Sequence, residues 1–278
     1  MFNGRKPFPG KNMSTEQQNR SPGWLVFDIE TIPDGDLLAQ VKHPGLTDDP
    51  GEAIRRSMED ALSRGRGDSS FVPPTFQKVV AACVIRVRRD YSVEKIVCLD
   101  APQFRQQQVV EQFWKGVCSH AMAPLVSFNG RGFDLPVMEL AAYDLGLDIS
   151  AYWPRRERFK GAHLHLDLQD FFSNQGALRF FTGGLNLLAK RIGLPGKQGT
   201  TGEDVLGLVQ AGRLDRVNGY CMADTLDTYF VFLRSQRMQG YIKEAQEGEL
   251  RRDTLRQVAD MDPAYPGMSD YLAHFDKA

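Results

Sequence analysis

Two carboxylates, Asp28 and Glu30, close a short apolar run and are separated by a single residue. Side chains of a β-strand alternate between its two faces, so residues i and i+2 point the same way. Two carboxylates side by side at the end of a buried strand repel each other and lose hydration, which a divalent cation between them relieves. The pair therefore predicts half of a metal site, although such a tripeptide alone is a weak signal.

A third acid, Asp134, follows another apolar run, residues 124–128. Between them, residues 129–133 have the Asn-Gly composition of a turn, and a helical pattern begins at Leu135. The spacing predicts that Asp134 lies at a strand-to-helix junction.

A fourth acid, Asp224, lies in an amphipathic stretch from about Leu214 to Arg237. Tyr220 precedes it by four residues, which is one turn of a helix. The spacing predicts that Tyr220 and Asp224 share one face of a long helix.

Taken in this order, the three motifs resemble those of the four-acid 3′–5′ exonuclease superfamily in its tyrosine subtype. The likeness covers about Trp24 to Arg237, and it is strongest to stand-alone bacterial exonucleases related to the proofreading domain of family B DNA polymerases. The histidine subtype places a His five residues before the last acid, where this chain has Gly219. The resemblance implies an α/β fold of the ribonuclease-H-like type, with a mixed five-stranded sheet and helices on both faces.

The resemblance also implies a catalytic centre. Its residues would be Asp28, Glu30, Asp134, Tyr220 and Asp224, with the four acids binding two Mg²⁺ or Mn²⁺ ions. Asp28 would bridge the ions, Glu30 and Asp224 would hold the ion on the water side, and Asp134 the other. Tyr220 would position the attacking water.

Four further residues are candidate substrate contacts: Thr31, Asn129, Phe133 and Lys197. For three of them an ordinary role competes, namely a β-branched strand end for Thr31, a turn residue for Asn129, and a solvated surface for Lys197.

Other side chains are expected to play structural parts. Asp167, Asp170 and Asp227 are acids for which capping or surface roles outweigh assistance to the metal site. His163 and His165 form a possible metal pair, which Mg²⁺ chemistry does not need. The four cysteines show no Cys-x-x-Cys spacing and are expected to be reduced core thiols. Cys221 adjoins Tyr220 but is expected to face elsewhere on the helix.

Bulk properties fit one globular unit. The 278 residues are 42% hydrophobic and carry a formal net charge of −1, enough to bury one core but not to coat nucleic acid electrostatically. The sequence shows neither an apolar run long enough to span a bilayer nor a signal-peptide core, so we expect a cytoplasmic protein that does not engage membranes.

The elements are predicted from periodicity and turn signals. Strands are expected at 24–29, 78–88, 93–99, 125–128 and 165–168. Helices are expected at 51–63, 104–120, from 135, at 185–192 with Thr182 as N-cap, and at 214–237, 242–259 and 269–275.

Together with the resemblance, these elements predict three parts: a disordered tail (1–22), an exonuclease domain (23–240) and a C-terminal helical appendage (241–278). Within the domain, a long insertion (34–77) leaves from the acidic pair and offers Phe71 or Phe76 for stacking on a base, with packing against the sheet as the alternative.

The expected activity is metal-dependent 3′–5′ hydrolysis that releases nucleoside monophosphates from single-stranded or frayed 3′ DNA ends. Nucleic acid is the expected partner, with single-stranded DNA preferred. An RNA exonuclease and a non-catalytic nucleic-acid-binding protein remain the alternatives.

Overall fold

The computed structural model describes residues 22–64, 70–120, 123–156, 164–179, 181–196, 202–261 and 268–275. The predicted tail, apart from Pro22, lies outside the described residues, as do His163 and Lys197.

The described residues form one mixed sheet. Its strands are β1 (Trp24–Pro33), β2 (Gln77–Val87), β3 (Val93–Cys98), β4 (Leu125–Ser127) and β5 (His165–Asp167). The spatial order is β3-β2-β1-β4-β5, in which β1, β2 and β3 are antiparallel while β1, β4 and β5 are parallel. The expected ribonuclease-H-like, five-stranded sheet is confirmed.

Helices cover both faces of this sheet. They are α1 (Gly35–Val41), α2 (Pro50–Arg64), α3 (Gln106–Ser119), α4 (Asp134–Asp144), α5 (Leu168–Phe172), α6 (Gly184–Arg191), α7 (Gly202–Gln210), α8 (Leu214–Met238), α9 (Glu244–Ala259) and α10 (Met268–Ala273). The predicted helices are present with ends shifted by a residue or two, whereas α1, α5 and α7 were not predicted.

The alternation of β1 determines which residues face which helices. Leu25 and Phe27 lie in the core that also contains residues of α3 and α4. Val26 points the other way, into the core shared with α8. Asp28 and Glu30 continue the face of Val26, because residues two apart in a strand share a face. The acidic pair is therefore directed to the side of the sheet that α8 covers.

Two local predictions were wrong. Helix α6 is preceded not by a capping Thr182 but by Gly183, whose φ of 86° lies in the left-handed region that glycine adopts without strain. The strand β1 does not end at Ile29 but continues to Pro33, since its backbone stays paired with β2 beyond a register shift between Glu30 and Thr31.

The insertion between β1 and β2 has a small core of its own. It consists of buried side chains from α1 and α2, together with Val72 from the segment before β2. Phe76 packs against this core, and the ammonium group of Lys42 lies 4.5 Å from its ring centroid. Phe76 is therefore a packing residue, but it packs against the core of the insertion rather than against the sheet.

The cysteines are free, with Cys83, Cys98 and Cys221 buried, as expected of core thiols. Of the helices among the described residues, none has the length and apolarity needed to cross a membrane.

Candidate active site

The acidic pair of β1 lies beside α8. Ligand atoms of Asp28, Glu30 and Cys221 all fall within 4.8 Å of one another. The prediction that both carboxylates share one strand face is confirmed.

The position of Cys221 corrects one expectation. Its thiol donates to the backbone carbonyl of Asp28 (3.4 Å), and Sγ lies 4.0 Å from Oδ2 of the same residue. Cys221 therefore faces the acidic pair rather than away from it. Burial, together with the negative charge of Asp28, raises the pKa of this thiol well above its ordinary value, so it remains protonated.

Asp134 is the first residue of α4, at the predicted strand-to-helix junction. Its side chain is only 3% exposed and accepts a hydrogen bond from the backbone N–H of Ile29 in β1. The loop before it turns sharply at Asn129, where φ is 61°. Gly130 is required there, because a Cβ atom would lie 2.2 Å from Oγ of Ser127. Asp134 is thus held against β1 from the opposite side to α8.

Asp167, at the end of β5, fixes this loop. Its carboxylate accepts the backbone N–H groups of Asn129 and Arg131, both at 2.9 Å, and caps α5 through Gln169 at 3.0 Å. The capping role predicted for Asp167 is confirmed, but the residue is buried rather than on the surface. One feature could have indicated that Asp167 fixes the loop before Asp134. Asp167 ends the strand that runs parallel to β4, and adjacent parallel strands end at the same edge of a sheet.

Helix α8 brings the last two residues to the site. Tyr220 and Asp224 lie on the face directed towards β1, and the Tyr220 hydroxyl hydrogen-bonds to the Asp224 carboxylate. Burial raises the pKa of Tyr220 above its ordinary value, and the negative charges of Asp224, Glu30 and Asp28 raise it further. The phenol is therefore a hydrogen-bond donor at neutral pH rather than a base.

The acids converge on a cleft of about 1030 Å³. Its lining includes Asp28, Glu30, Asp134 and Asp224, together with the substrate candidates Thr31, Asn129 and Phe133. The remaining described lining is neutral, with aromatic rings and the amides of Gln77, Gln169 and Asn186.

Phe71, from the insertion, forms part of the same cleft. The residue is 53% exposed, and its ring lies 5.6 Å from the ring of Phe133, centroid to centroid. The insertion therefore presents Phe71, and not Phe76, at the cleft.

The donor set fits a hard divalent cation. Mg²⁺ prefers oxygen ligands, and four carboxylates border one cleft. The protonated Cys221 thiol does not compete for such an ion. His165 is committed to Oγ of Ser127 at 2.8 Å, and the described part of the chain contains no histidine-based metal cluster.

Burial raises the pKa of Asp134 from 3.8 to about 7, and the charge of Asp167 adds to this rise, while the backbone N–H groups of Asp134 and Ile29 oppose it. Between pH 3.8 and about pH 7, the Asp134 carboxyl is ionised in the unfolded chain but still protonated in the folded protein. The free energy of unfolding of the metal-free protein therefore falls as pH rises through this range. Above about pH 7 the loss in free energy of unfolding is complete and stays constant.

Replacing Asp134 with Asn should remove that loss. In metal-free buffer, we expect the gain in free energy of unfolding to be larger at about pH 8 than at about pH 5, by on the order of 2 kcal/mol. Chemical denaturation at both pH values measures it, with the exposed Asp144→Asn as control. An equal gain at both pH values contradicts the prediction.

Comparison with known sequences found one matching family. A family of sequences, described as predicted 3′-5′ exonucleases related to the exonuclease domain of PolB, matches residues 69–276. The matched span includes Asp134, Tyr220 and Asp224, whereas Asp28 and Glu30 precede it. No curated protein matches the chain. Because the family match covers well over half of the sequence, the chain belongs to the family of predicted 3′-5′ exonucleases related to the exonuclease domain of PolB.

Proposed function

We propose that the protein is a divalent-metal-dependent 3′–5′ exonuclease of the tyrosine subtype, which releases nucleoside monophosphates from single-stranded or frayed 3′ DNA ends. The observation that carries the proposal is the convergence of Asp28, Glu30, Asp134 and Asp224 on one cleft, with Tyr220 hydrogen-bonded to Asp224. The family match supports exonuclease chemistry, that is, hydrolysis of phosphodiesters in nucleic acid.

The four acids would hold the ions. When bound, divalent ions would supply acidification of the attacking water and neutralisation of charge at the scissile phosphate and its leaving oxygen. The protein holds the carboxylates ready for them: β1 orients Asp28 and Glu30, Ile29 and the loop clamped by Asp167 hold Asp134, and α8 holds Asp224.

Tyr220 would orient the water for attack. Its phenol stays protonated and lies against Asp224, so it can donate a hydrogen bond near the acids. A positioned donor of this kind fixes the direction of attack without removing a proton itself.

The terminal nucleotide would be held by neutral contacts. Phe71 and Phe133 offer adjacent rings at the cleft, and stacking of a base on an aromatic ring contributes about 1–3 kcal/mol. Thr31 and Asn129 offer polar atoms close to the acids. Because rings stack only on an exposed base face, these contacts favour an unpaired 3′ end.

The proposal is tested with oligonucleotides labelled at the 5′ end, in DNA and RNA versions, with Mg²⁺, Mn²⁺ or excess EDTA. DNA is offered as single strand, blunt duplex and 3′-mismatched duplex, beside a circular single strand. We expect metal-dependent stepwise shortening and an intact circle. Unpaired ends should be favoured over blunt ends about ten-fold or more, because freeing a terminal pair costs one or two stacking steps.

Several outcomes would contradict the proposal. Cutting of the circle would mean endonuclease activity, and immediate release of a labelled mononucleotide would mean 5′ attack. Full activity in EDTA would exclude the metal-dependent mechanism. Faster degradation of RNA than of DNA would change the substrate to RNA while leaving the chemistry as proposed.

A further inference from the structure

The C-terminal helices α9 and α10 make a buried polar contact with α8. The hydroxyl of Tyr271 in α10 donates to Oδ1 of Asp227 at 2.8 Å. Tyr271 is 3% exposed and Asp227 is 1% exposed, so the capping or surface role expected for Asp227 is wrong. A buried carboxylate of this kind is stable only when donors satisfy it.

A second donor to Asp227 comes from the segment that follows α6. The backbone N–H of Gly196 hydrogen-bonds to the Asp227 carboxylate, and the charge of Lys190 lies nearby. The Lys190 ammonium group itself donates to the carbonyl of Pro195. Asp227 therefore joins α10 to the segment 192–196.

Arg251 of α9 holds the same segment from its other end. Its guanidinium donates to the carbonyls of Ile192 and Gly193, at 3.4 and 3.3 Å. The guanidinium also lies over the rings of Phe275 and Phe230, at 4.8 and 5.9 Å from their centroids. Stacking fixes the direction in which the planar group donates.

The clamped segment is in close contact with the helix that borders the cleft. A Cβ atom on Gly196 would lie 2.3 Å from Oδ1 of Asn186, so loop and helix touch with no space for a side chain. Asn186, together with Gly184 at the start of α6, lines the cleft. A shift of the segment 192–196 must therefore move this wall of the cleft.

We propose that Tyr271 and Arg251 are positioning residues for the cleft, because they hold the segment 192–196 and through it the wall formed by α6. The C-terminal helices would thus determine how tightly the 3′ strand is held, without touching the reacting atoms. The effect on binding of the 3′ strand rests on the proposed function, whereas the coupling of Tyr271 and Arg251 to α6 does not.

The test compares Tyr271→Phe with Tyr229→Phe. Tyr229 is a matched control, since it is equally buried and its hydroxyl donates to the carbonyl of Tyr91 at 2.7 Å, in the turn between β2 and β3. Each variant loses the hydrogen bond that its buried phenol donates, to Asp227 in one case and to Tyr91 in the other. We expect similar thermal midpoints, but only Tyr271→Phe should raise KM for a single-stranded oligonucleotide, about five-fold or more, with kcat nearly unchanged.

A second readout does not depend on activity. Hydrogen exchange of the α6 amides should accelerate about five-fold or more in Tyr271→Phe and stay unchanged in Tyr229→Phe. Equal exchange of α6 in both variants overturns the inference, even if the wild-type protein proves inactive. An unchanged KM in an active Tyr271→Phe overturns it while leaving the proposed function intact.

Arg251 provides a second route in case Tyr271→Phe does not fold. Arg251 is only partly buried, so Arg251→Gln should fold while losing the stacked cation. It should reproduce the rise in KM and the faster α6 exchange, and Arg251→Lys should restore part of both. If Arg251→Gln changes neither quantity, the inference is wrong.

Discussion

Replacing Asp28 with Asn should reduce exonuclease turnover by at least about 10³-fold, because the metal site loses one of its four carboxylates and metal ions contribute several kcal/mol to such reactions. The amide keeps the shape of the side chain. It also relieves the repulsion between Asp28 and Glu30, whose ligand atoms lie within 4.8 Å, so the metal-free fold should be as stable as the wild type or slightly more stable.

Turnover and thermal midpoint should be measured on the same preparations. Asp144→Asn, an exposed charge change at the end of α4, serves as the control and should retain wild-type turnover. Added Mg²⁺ should raise the midpoint of the wild type and of the control more than that of Asp28→Asn. Wild-type turnover in Asp28→Asn would exclude the proposed centre.

Replacing Tyr220 with Phe should lower turnover by roughly one to three orders of magnitude, less than the loss in Asp28→Asn. The ring stays, while the hydroxyl that bonds to Asp224 is removed. The carboxylates remain in place, so metal binding and its effect on the water should persist. KM should change little, since the hydroxyl acts on the water rather than on the strand.

The pH dependence separates this role from that of a base. Burial and the neighbouring acids keep the pKa of Tyr220 above its ordinary value, so wild type and Tyr220→Phe should show pH–rate profiles of the same shape between about pH 6 and pH 9. Tyr229→Phe, elsewhere on α8, should show neither the loss nor a changed profile. A Tyr220→Phe rate equal to wild type would assign this residue to packing.

Much of the site was predictable because it follows from local periodicity. Residues two apart in a strand share one face, as do residues four apart in a helix. Spacing alone therefore predicted that Asp28 lies beside Glu30 and that Tyr220 lies beside Asp224. The junction at Asp134 followed from turn residues between an apolar run and a helical pattern.

The supporting contacts were not predictable, because each one joins residues far apart in the sequence. Asp227 and Asp167 are short acids next to apolar residues, a pattern equally typical of caps and surfaces. Only the packing of α10 onto α8, and of β5 beside β4, shows that both carboxylates are buried and hydrogen-bonded. The orientation of Cys221 depended likewise on how α8 is rotated against β1, which the weakly amphipathic helix leaves open.

The hydrogen bond from Cys221 to Asp28 joins residues 193 positions apart in the chain. Closing a loop of this length costs conformational entropy before the contact yields any stabilisation. A growing polypeptide on the ribosome thus contains its first two acids long before the helix that completes the centre has been synthesised. The acidic centre is complete only when α8 is docked on β1, so loss of that docking on heating should abolish cleavage.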